Sequence, residues 1–403
     1  MMASNSLKDR ISFIGIGQCG GNIASVASEL GYKTGAINTS EEDLNSDRLK
    51  SIPHKMVIGT VGGCAKERKL GQKIVKEEYQ SIIDFIGDKF LLNSTEYAKK
   101  GLNYIVYICF STSGGTGSGV SPILISVLKK VYPEVSFNAI AVTPSDDESL
   151  IALNNSLKCM EELYKLNIPI LIADNNNASK KDSRFTIYQS VNNEVIMGLN
   201  RFIKARESSN IANMDDKDKA KLLMTPGLSI LTTVPLVDSD VETKDALSIT
   251  IETSFHNNTY AKVNFDKKIK NAGFIFEIPE KVTKLIDYNK ILTNVGTPLE
   301  IFEGIYEADK KDNIIGMVTI ILAGLNFPES KIKELRAVLT SKGDNVKSVN
   351  KTKKNLFDND TDFDSLFKDN SGVDSLFSDF DTSDKSTSKS DEIDIESLFD
   401  GFN

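Results

Sequence analysis

The sequence predicts an α/β fold with a parallel sheet covered on both faces, a long central helix, a second and smaller α/β region, and an acidic tail. Three observations carry this. Short β-branched runs alternate with helix-length segments, glycine-rich loops sit flush between a strand and a helix, and the composition changes abruptly near Asn355. Strands buried on both faces read as continuous apolar runs, and their alternation with helices points to crossover connections.

The elements follow in order. Ile11–Gly15 reads as a buried strand, and Asn22–Leu30 as a helix ended by Gly31. Thr34–Asn38 and Lys55–Gly59 are the next strands. Asn103–Phe110 is β-branched and aromatic, runs into a glycine cluster, and feeds a helix over Ile123–Lys130. Ser136–Val142 and Ile168–Ala173 repeat the strand pattern. From Phe185 to Arg206, apolar Ile187, Val191, Val195, Ile196, Leu199, Phe202 and Ile203 recur at three- and four-residue steps, which predicts a long helix. After Pro226-Gly227 come strands at Ser229–Val234, Ala272–Ile278 and Ile314–Leu322, then a helix over Lys331–Thr340, with order expected to end near Lys342-Gly343. The expected organisation is therefore a nucleotide-type domain over 1–184, the long helix and following loop over 185–225, a smaller α/β domain over 226–342, and a disordered tail over 343–403.

Composition narrows the chemistry. The 403 residues suffice for two ordinary domains. No apolar run approaches the ~20 residues of a membrane span, and the first ten residues lack a signal peptide's apolar stretch, so a cytoplasmic location is expected. Cys19, Cys64, Cys109 and Cys159 form no CxxC pair, so neither zinc nor a disulfide framework is indicated. The only histidines, His54 and His256, exclude a histidine cluster. Net charge is −8, but the residues from Asn355 onward hold fourteen acids and three lysines, so the acidity belongs to the tail. That tail repeats Leu-Phe pairs at Leu356-Phe357, Leu366-Phe367, Leu376-Phe377 and Leu398-Phe399. It cannot bury enough surface to offset its ordering entropy.

Two loops carry the functional signal. Gly15-Ile16-Gly17-Gln18-Cys19-Gly20 is a GxGxxG between strand and helix, where glycines and a helix N-terminus suit phosphate. A dinucleotide-binding enzyme has the same string, with an acid some 20 residues on for the ribose. Here Asn38-Thr39-Ser40 occupies that region, ahead of Glu41 and Glu42. Ser113-Gly114-Gly115-Thr116-Gly117-Ser118-Gly119 has the same placement. Successive backbone N–H groups there can form an anion nest, with hydroxyls from Ser113, Thr116 and Ser118. No GxxxxGK[ST] occurs, so this is not a P-loop.

The seven-residue loop resembles the signature loop of the tubulin/FtsZ superfamily. Gly17, Gln18, Cys19 and Gly20, followed by Gly21 and Asn22, resemble that family's first phosphate loop, and the likeness runs motif by motif over about residues 10–340. The resemblance implies a Rossmann-like GTPase domain that binds GTP and GDP with Mg²⁺. It implies a second nucleotide loop at Asn38-Thr39 and a γ-phosphate-sensing loop over Gly59–Arg68, with Gly62 and Gly63. Lys66 and Arg68 there are read either as facing phosphate or as solvated side chains. Val142–Glu148 resembles the ribose loop, with Glu148 as the hydroxyl acceptor, and Ala152 stands where FtsZ has an arginine. Asn175 and Asn192 match the guanine-reading asparagines, since an amide suits guanine's edge and not adenine's. Tyr188, one turn before Asn192, is placed to stack on the base or to be an ordinary core or surface aromatic.

Asn213-Met214-Asp215-Asp216-Lys217-Asp218 matches the family's NxDxxD loop. The resemblance implies that one subunit inserts this loop against the γ-phosphate of the next, with Asn213, Asp215 and Asp218 as catalytic residues. Spacing alone reads as an acidic helix start. A head-to-tail homopolymer follows from a shared site. The short third loop and the ribose segment are most similar to TubZ proteins of plasmid and phage partition systems. That implies a bacterial host and a DNA-binding adaptor, for which the Leu-Phe repeats would be docking elements. Direct nucleic-acid binding by the acidic tail is not expected. A division-type FtsZ filament is the alternative.

Overall fold

The structure is a computed structural model. It describes residues 6–352 apart from 61, 178–183, 206–209, 264, 266–267 and 309–312, with backbone only for 184–187, 210–211 and 343–352. The Leu-Phe repeats of the tail lie outside the described residues.

The strands are β1 (Ile11–Ile16), β2 (Lys33–Asn38), β3 (His54–Val57), β4 (Tyr104–Ser111), β5 (Val135–Thr143), β6 (Pro169–Asp174), β7 (Asn210–Ala212), β8 (Gly227–Leu236), β9 (Asn271–Glu277), β10 (Glu300–Tyr306) and β11 (Gly316–Leu325). Among the described residues they form one eleven-stranded sheet in the order β3-β2-β1-β4-β5-β6-β8-β11-β9-β10-β7. From β3 to β8 every pairing is parallel. β11 runs antiparallel to both β8 and β9, and β10 rejoins β9 in parallel. The second α/β region therefore continues the sheet of the first. Every residue of β1 and β6 is buried, as a sheet covered on both faces requires.

The helices are α1 (Gly17–Glu29), α2 (Glu41–Leu44), α3 (Arg68–Ile86), α4 (Ser94–Lys99), α5 (Thr116–Val131), α6 (Leu150–Lys165), α7 (Arg184–Lys204), α8 (Asp216–Leu223), α9 (Lys244–Ser254), α10 (Glu280–Thr283), α11 (Tyr288–Ile291) and α12 (Glu329–Thr352). Several begin on a side chain that accepts an orphan N–H, as Ser149 does for Ala152 and Thr243 for Ala246. Of the apolar stripe read on α7, Val191, Val195, Ile196, Leu199, Phe202 and Ile203 are buried in the core, and the side chain of Ile187 lies outside the described residues. No described helix is long and apolar enough to cross a membrane.

Three helix boundaries correct the sequence reading. α1 opens at Gly17 and α5 at Thr116, so both glycine loops are themselves the first turns of helices. The glycines there serve close packing. A Cβ on Gly20 would lie 2.0 Å from the Cys109 carbonyl oxygen, and one on Gly15 would lie 2.2 Å from that of Gly20. At the other end, α12 runs to Thr352, past the expected limit at Lys342-Gly343. One interior glycine costs about 1 kcal/mol, and the helix is already anchored by buried Ile332, Leu335 and Leu339.

Candidate nucleotide cleft and a remote acidic loop

The C-terminal ends of the parallel strands meet the N-termini of α1 and α5 at a cleft of about 700 Å³. Ligands bind at this edge of open α/β sheets. Gly17, with φ +71°, starts the turn out of β1, and a Cβ there would lie 3.2 Å from the Gly117 nitrogen. The two glycine loops thus form a single wall. Ser118 is fully buried and its hydroxyl donates to the Gly114 carbonyl, which cinches the signature loop.

The neighbouring loops are tied to that wall. Thr39 and Thr116 share a hydroxyl hydrogen bond of 2.7 Å, and the Cys64 thiol lies 3.6 Å from Thr39. The Asn38 amide accepts from the Thr39 nitrogen and donates to Asp43, which also accepts from Gln18. From α6, the Asn155 amide donates to the carbonyls of Lys66 and Ser113, joining the third loop to the signature loop. Gly62, Gly63, Ala65 and Lys66 all have positive φ. For the last two residues this left-handed backbone costs on the order of 1 kcal/mol each.

Most of the residues read from sequence come together here. Gly17, Gln18, Cys19, Asn22, Asn38, Gly62, Gly63, Ser113, Gly114, Gly115, Thr116, Gly117, Glu148, Asn175, Tyr188 and Asn192 line the cleft. Thr39 and Ser118 stand behind the wall as its fasteners, and Gly21 faces Leu49. Arg68 does neither thing expected of it. It is buried and paired with Glu162, a carboxyl pushed up to about 6 by burial despite the guanidinium. Lys66 lines the cleft and reaches Glu148 at 3.7 Å. The Tyr188 hydroxyl donates to the other Glu148 oxygen at 3.0 Å. Burial pushes the Cys19 thiol up to about 12, with Glu148 adding to the shift, so it stays protonated. Asp43 and Asn155 escaped the sequence reading because neither sits in a glycine loop.

At the inner end of the cleft, Asn175 is 7% exposed, and its Oδ1 has no hydrogen-bond partner. A buried amide oxygen without a partner costs about 1–3 kcal/mol, and the residue lines the cleft. Asn192, on α7, is buried on the same cleft.

The acidic loop is elsewhere. Asp215 is the N-cap of α8, accepting from the nitrogens of Lys217 and Asp218, and the Asp218 carboxylate accepts in turn from the Asp215 nitrogen. Asn213 accepts from Tyr306. Two connections fix the location. The ammonium of Lys219 donates to the carbonyls of Ile203 and Ala205 at the end of α7. Asp216 accepts from the nitrogen of Leu7, ahead of β1, while the cleft lies beyond the other end of β1. Tyr188 lines the cleft and Lys204 ends α7, so along the helix the acids lie about 24 Å away at ~1.5 Å per residue. Burial raises the carboxyl of Asp218 above its ordinary value, and the charges of Asp215 and Glu300 add to this.

Residues 10–181 match the Tubulin/FtsZ family, GTPase domain. Those residues are a tubulin/FtsZ GTPase domain. The chain that carries it is 26% identical to the tubulin-like protein TubZ of Clostridium botulinum C phage, over 84% of this chain and 88% of that one. It is 27% identical to the tubulin-like protein CetZ of Pyrococcus abyssi, over 83% and 89%. It superimposes on a GTPγS-form protofilament of Bacillus thuringiensis serovar israelensis TubZ with a TM-score of 0.70, covering 87% of this chain and 96% of that one. The identity there is 16%, so this likeness is one of fold. The GTPase domain holds the whole lining of the cleft except Tyr188 and Asn192, which α7 supplies.

Proposed function

We infer that this protein binds GTP in the cleft, stacks head to tail into filaments, and hydrolyses GTP where two copies meet. The observation that carries the reading is the separation of the cleft from Asn213, Asp215 and Asp218 by the length of α7. One chain cannot bring its own carboxylates to its own phosphates. A copy stacked below another can, because cleft and acids lie at opposite ends of the same sheet. The TubZ protofilament of similar fold supports this arrangement.

The glycine loops offer backbone N–H groups and hydroxyls to the phosphates, Glu148 takes the ribose, and Asn175 and Asn192 read guanine. Tyr188 lies against the base. Asp215 and Asp218 of the neighbouring copy orient the attacking water, since phosphoryl transfer needs positioning and charge stabilisation rather than a protein nucleophile. The cleft contributes the carboxylates of Asp43 and Glu148, and among the described residues no group of three His, Cys, Asp or Glu is placed to hold a metal. Mg²⁺ fits such a site, because it takes phosphate oxygens and water rather than a protein cage, and it would offset the phosphate charge. In this reading residues 1–184 bind nucleotide, 185–225 link it to the acidic loop, and 226–342 complete the subunit.

Plasmid or phage DNA partition is the proposed use, with a DNA-binding adaptor docking on the acidic tail. A division or positioning filament is the second reading, because the identity to CetZ matches that to TubZ. A helix-turn-helix gene beside iterated DNA repeats would separate the two. Co-sedimentation tests the core claim. The protein is expected in the pellet with GTP and with a slowly hydrolysed analogue, and in the supernatant with GDP. Pelleting that ignores the nucleotide would overturn it.

A further inference from the structure

Lysine is rarely buried without a task, yet Lys331 on α12 has a side chain only 1% exposed. Its ammonium lies 2.8 Å from Asp174, itself 4% exposed, and 3.4 Å from Glu334. Asp174 immediately precedes Asn175. Its other oxygen accepts from the Thr143 hydroxyl and from the Asn176 nitrogen, both at 3.1 Å. The Asn176 amide then grips Asp146 twice, accepting from its nitrogen at 2.9 Å and donating to its carboxylate at 2.7 Å. Asp146 sits in the turn that runs from Ser145 to Glu148, closed by the Glu148 nitrogen donating to the Ser145 carbonyl. The ammonium of Lys342 closes the circuit by donating to the carbonyls of Asp146 and Glu148, the latter at 2.8 Å.

Both lysines belong to α12. Positions 331 and 342 are about three turns apart at ~3.6 residues per turn, so they share a face. Buried Leu335 and Leu339 occupy the turns between them. One face of one helix therefore holds the base loop at one end and the ribose loop at the other, and Asn176 links the loops directly. Neither lysine touches the cleft.

We propose that Lys331 and Lys342 are positioning residues for the nucleotide: Lys331 fixes Asn175 through Asp174 and sets base selectivity, and Lys342 fixes Glu148 and sets ribose selectivity. This rests on the reading that Asn175 and Glu148 contact guanine and ribose.

The test is competition binding of GTP, ATP and dGTP to the purified full chain. Lys331→Met is expected to reduce the GTP-over-ATP preference about tenfold and Lys331→Arg to restore it. Lys342→Met is expected to reduce the GTP-over-dGTP preference and leave the base preference in place. Arg336→Met is the control. It breaks the pair with Glu161 at 3.1 Å on the same helix and should move neither ratio. A variant that is only less stable binds all three nucleotides less well without changing the ratios. Wild-type ratios in both lysine variants overturn the positioning role, as does an equal change in Arg336→Met. If Lys331→Met does not fold, Lys342→Met decides alone. A wild-type chain that prefers neither GTP nor the ribose form overturns the underlying assignment of Asn175 and Glu148 as well.

Discussion

Replacing Asn175 by alanine should move stability and affinity in opposite directions. Among the described residues no protein group hydrogen-bonds its buried Oδ1. Deleting that oxygen removes a desolvation cost of about 1–3 kcal/mol, against which stands the loss of a small side chain's packing. The nucleotide-free protein should therefore unfold at the same temperature as wild type or higher. With GTP bound, the deletion leaves a donor on the guanine edge unsatisfied. The same 1–3 kcal/mol now weakens binding, by about 5- to 150-fold. Thermal unfolding without nucleotide and titration calorimetry with GTP measure the two halves. The reasoning is refuted if Asn175→Ala destabilises the nucleotide-free chain by 2 kcal/mol or more, on the order of a lost structural hydrogen bond, and binds GTP normally.

Asp215→Asn keeps an N-cap of nearly equal strength and removes the carboxylate. Steady-state turnover should fall by about 10²–10⁴ with GTP affinity and melting temperature unchanged, and filaments should persist longer by electron microscopy. Asp218→Ala should show the same fall in turnover, with some loss of stability because it breaks the capping box. Asp218 takes up its proton at a higher pH than an ordinary carboxyl, partly because Glu300 lies near. Turnover should therefore rise with pH as Asp218 ionises, and Glu300→Gln should shift that limb to lower pH in a pH–rate profile. Deleting the residues after Lys354 should leave GTP turnover intact while a pull-down of the adaptor fails.

The strands of the GTPase domain were legible because buried parallel strands announce themselves as apolar runs. The cleft was legible because glycines in register with strand ends have few other uses. What escaped was set by contacts distant in sequence. α3 was missed although Ile74, Val75, Ile82, Ile83 and Ile86 form a buried stripe at helical spacing; only its first turns, which bury Arg68, Gly71 and Gln72, lack one. Gly71 is there because a Cβ would lie 2.7 Å from the Gly115 oxygen, which only the folded pair of helices reveals. β10 reads as no strand in isolation, since Glu300 and Glu303 interrupt it. It forms because β9 offers seven partners in register. The capping role of Asp215 and Asp218 is visible in their spacing, but their distance from the cleft is not. That distance comes from α7, whose length was readable and whose direction was not.

The placement of cleft and acids at opposite ends of α7 has an arithmetic consequence. If subunits stack head to tail and share their sites as proposed, a row of them has one fewer complete site than it has members. One terminal subunit holds nucleotide that no neighbour can attack, and the other offers carboxylates to empty solvent. The two tips of a filament are therefore chemically unlike however uniform its interior, and the nucleotide at one tip is the last to be spent. A short filament protects a larger share of its GTP than a long one, so age and length are recorded in the same place.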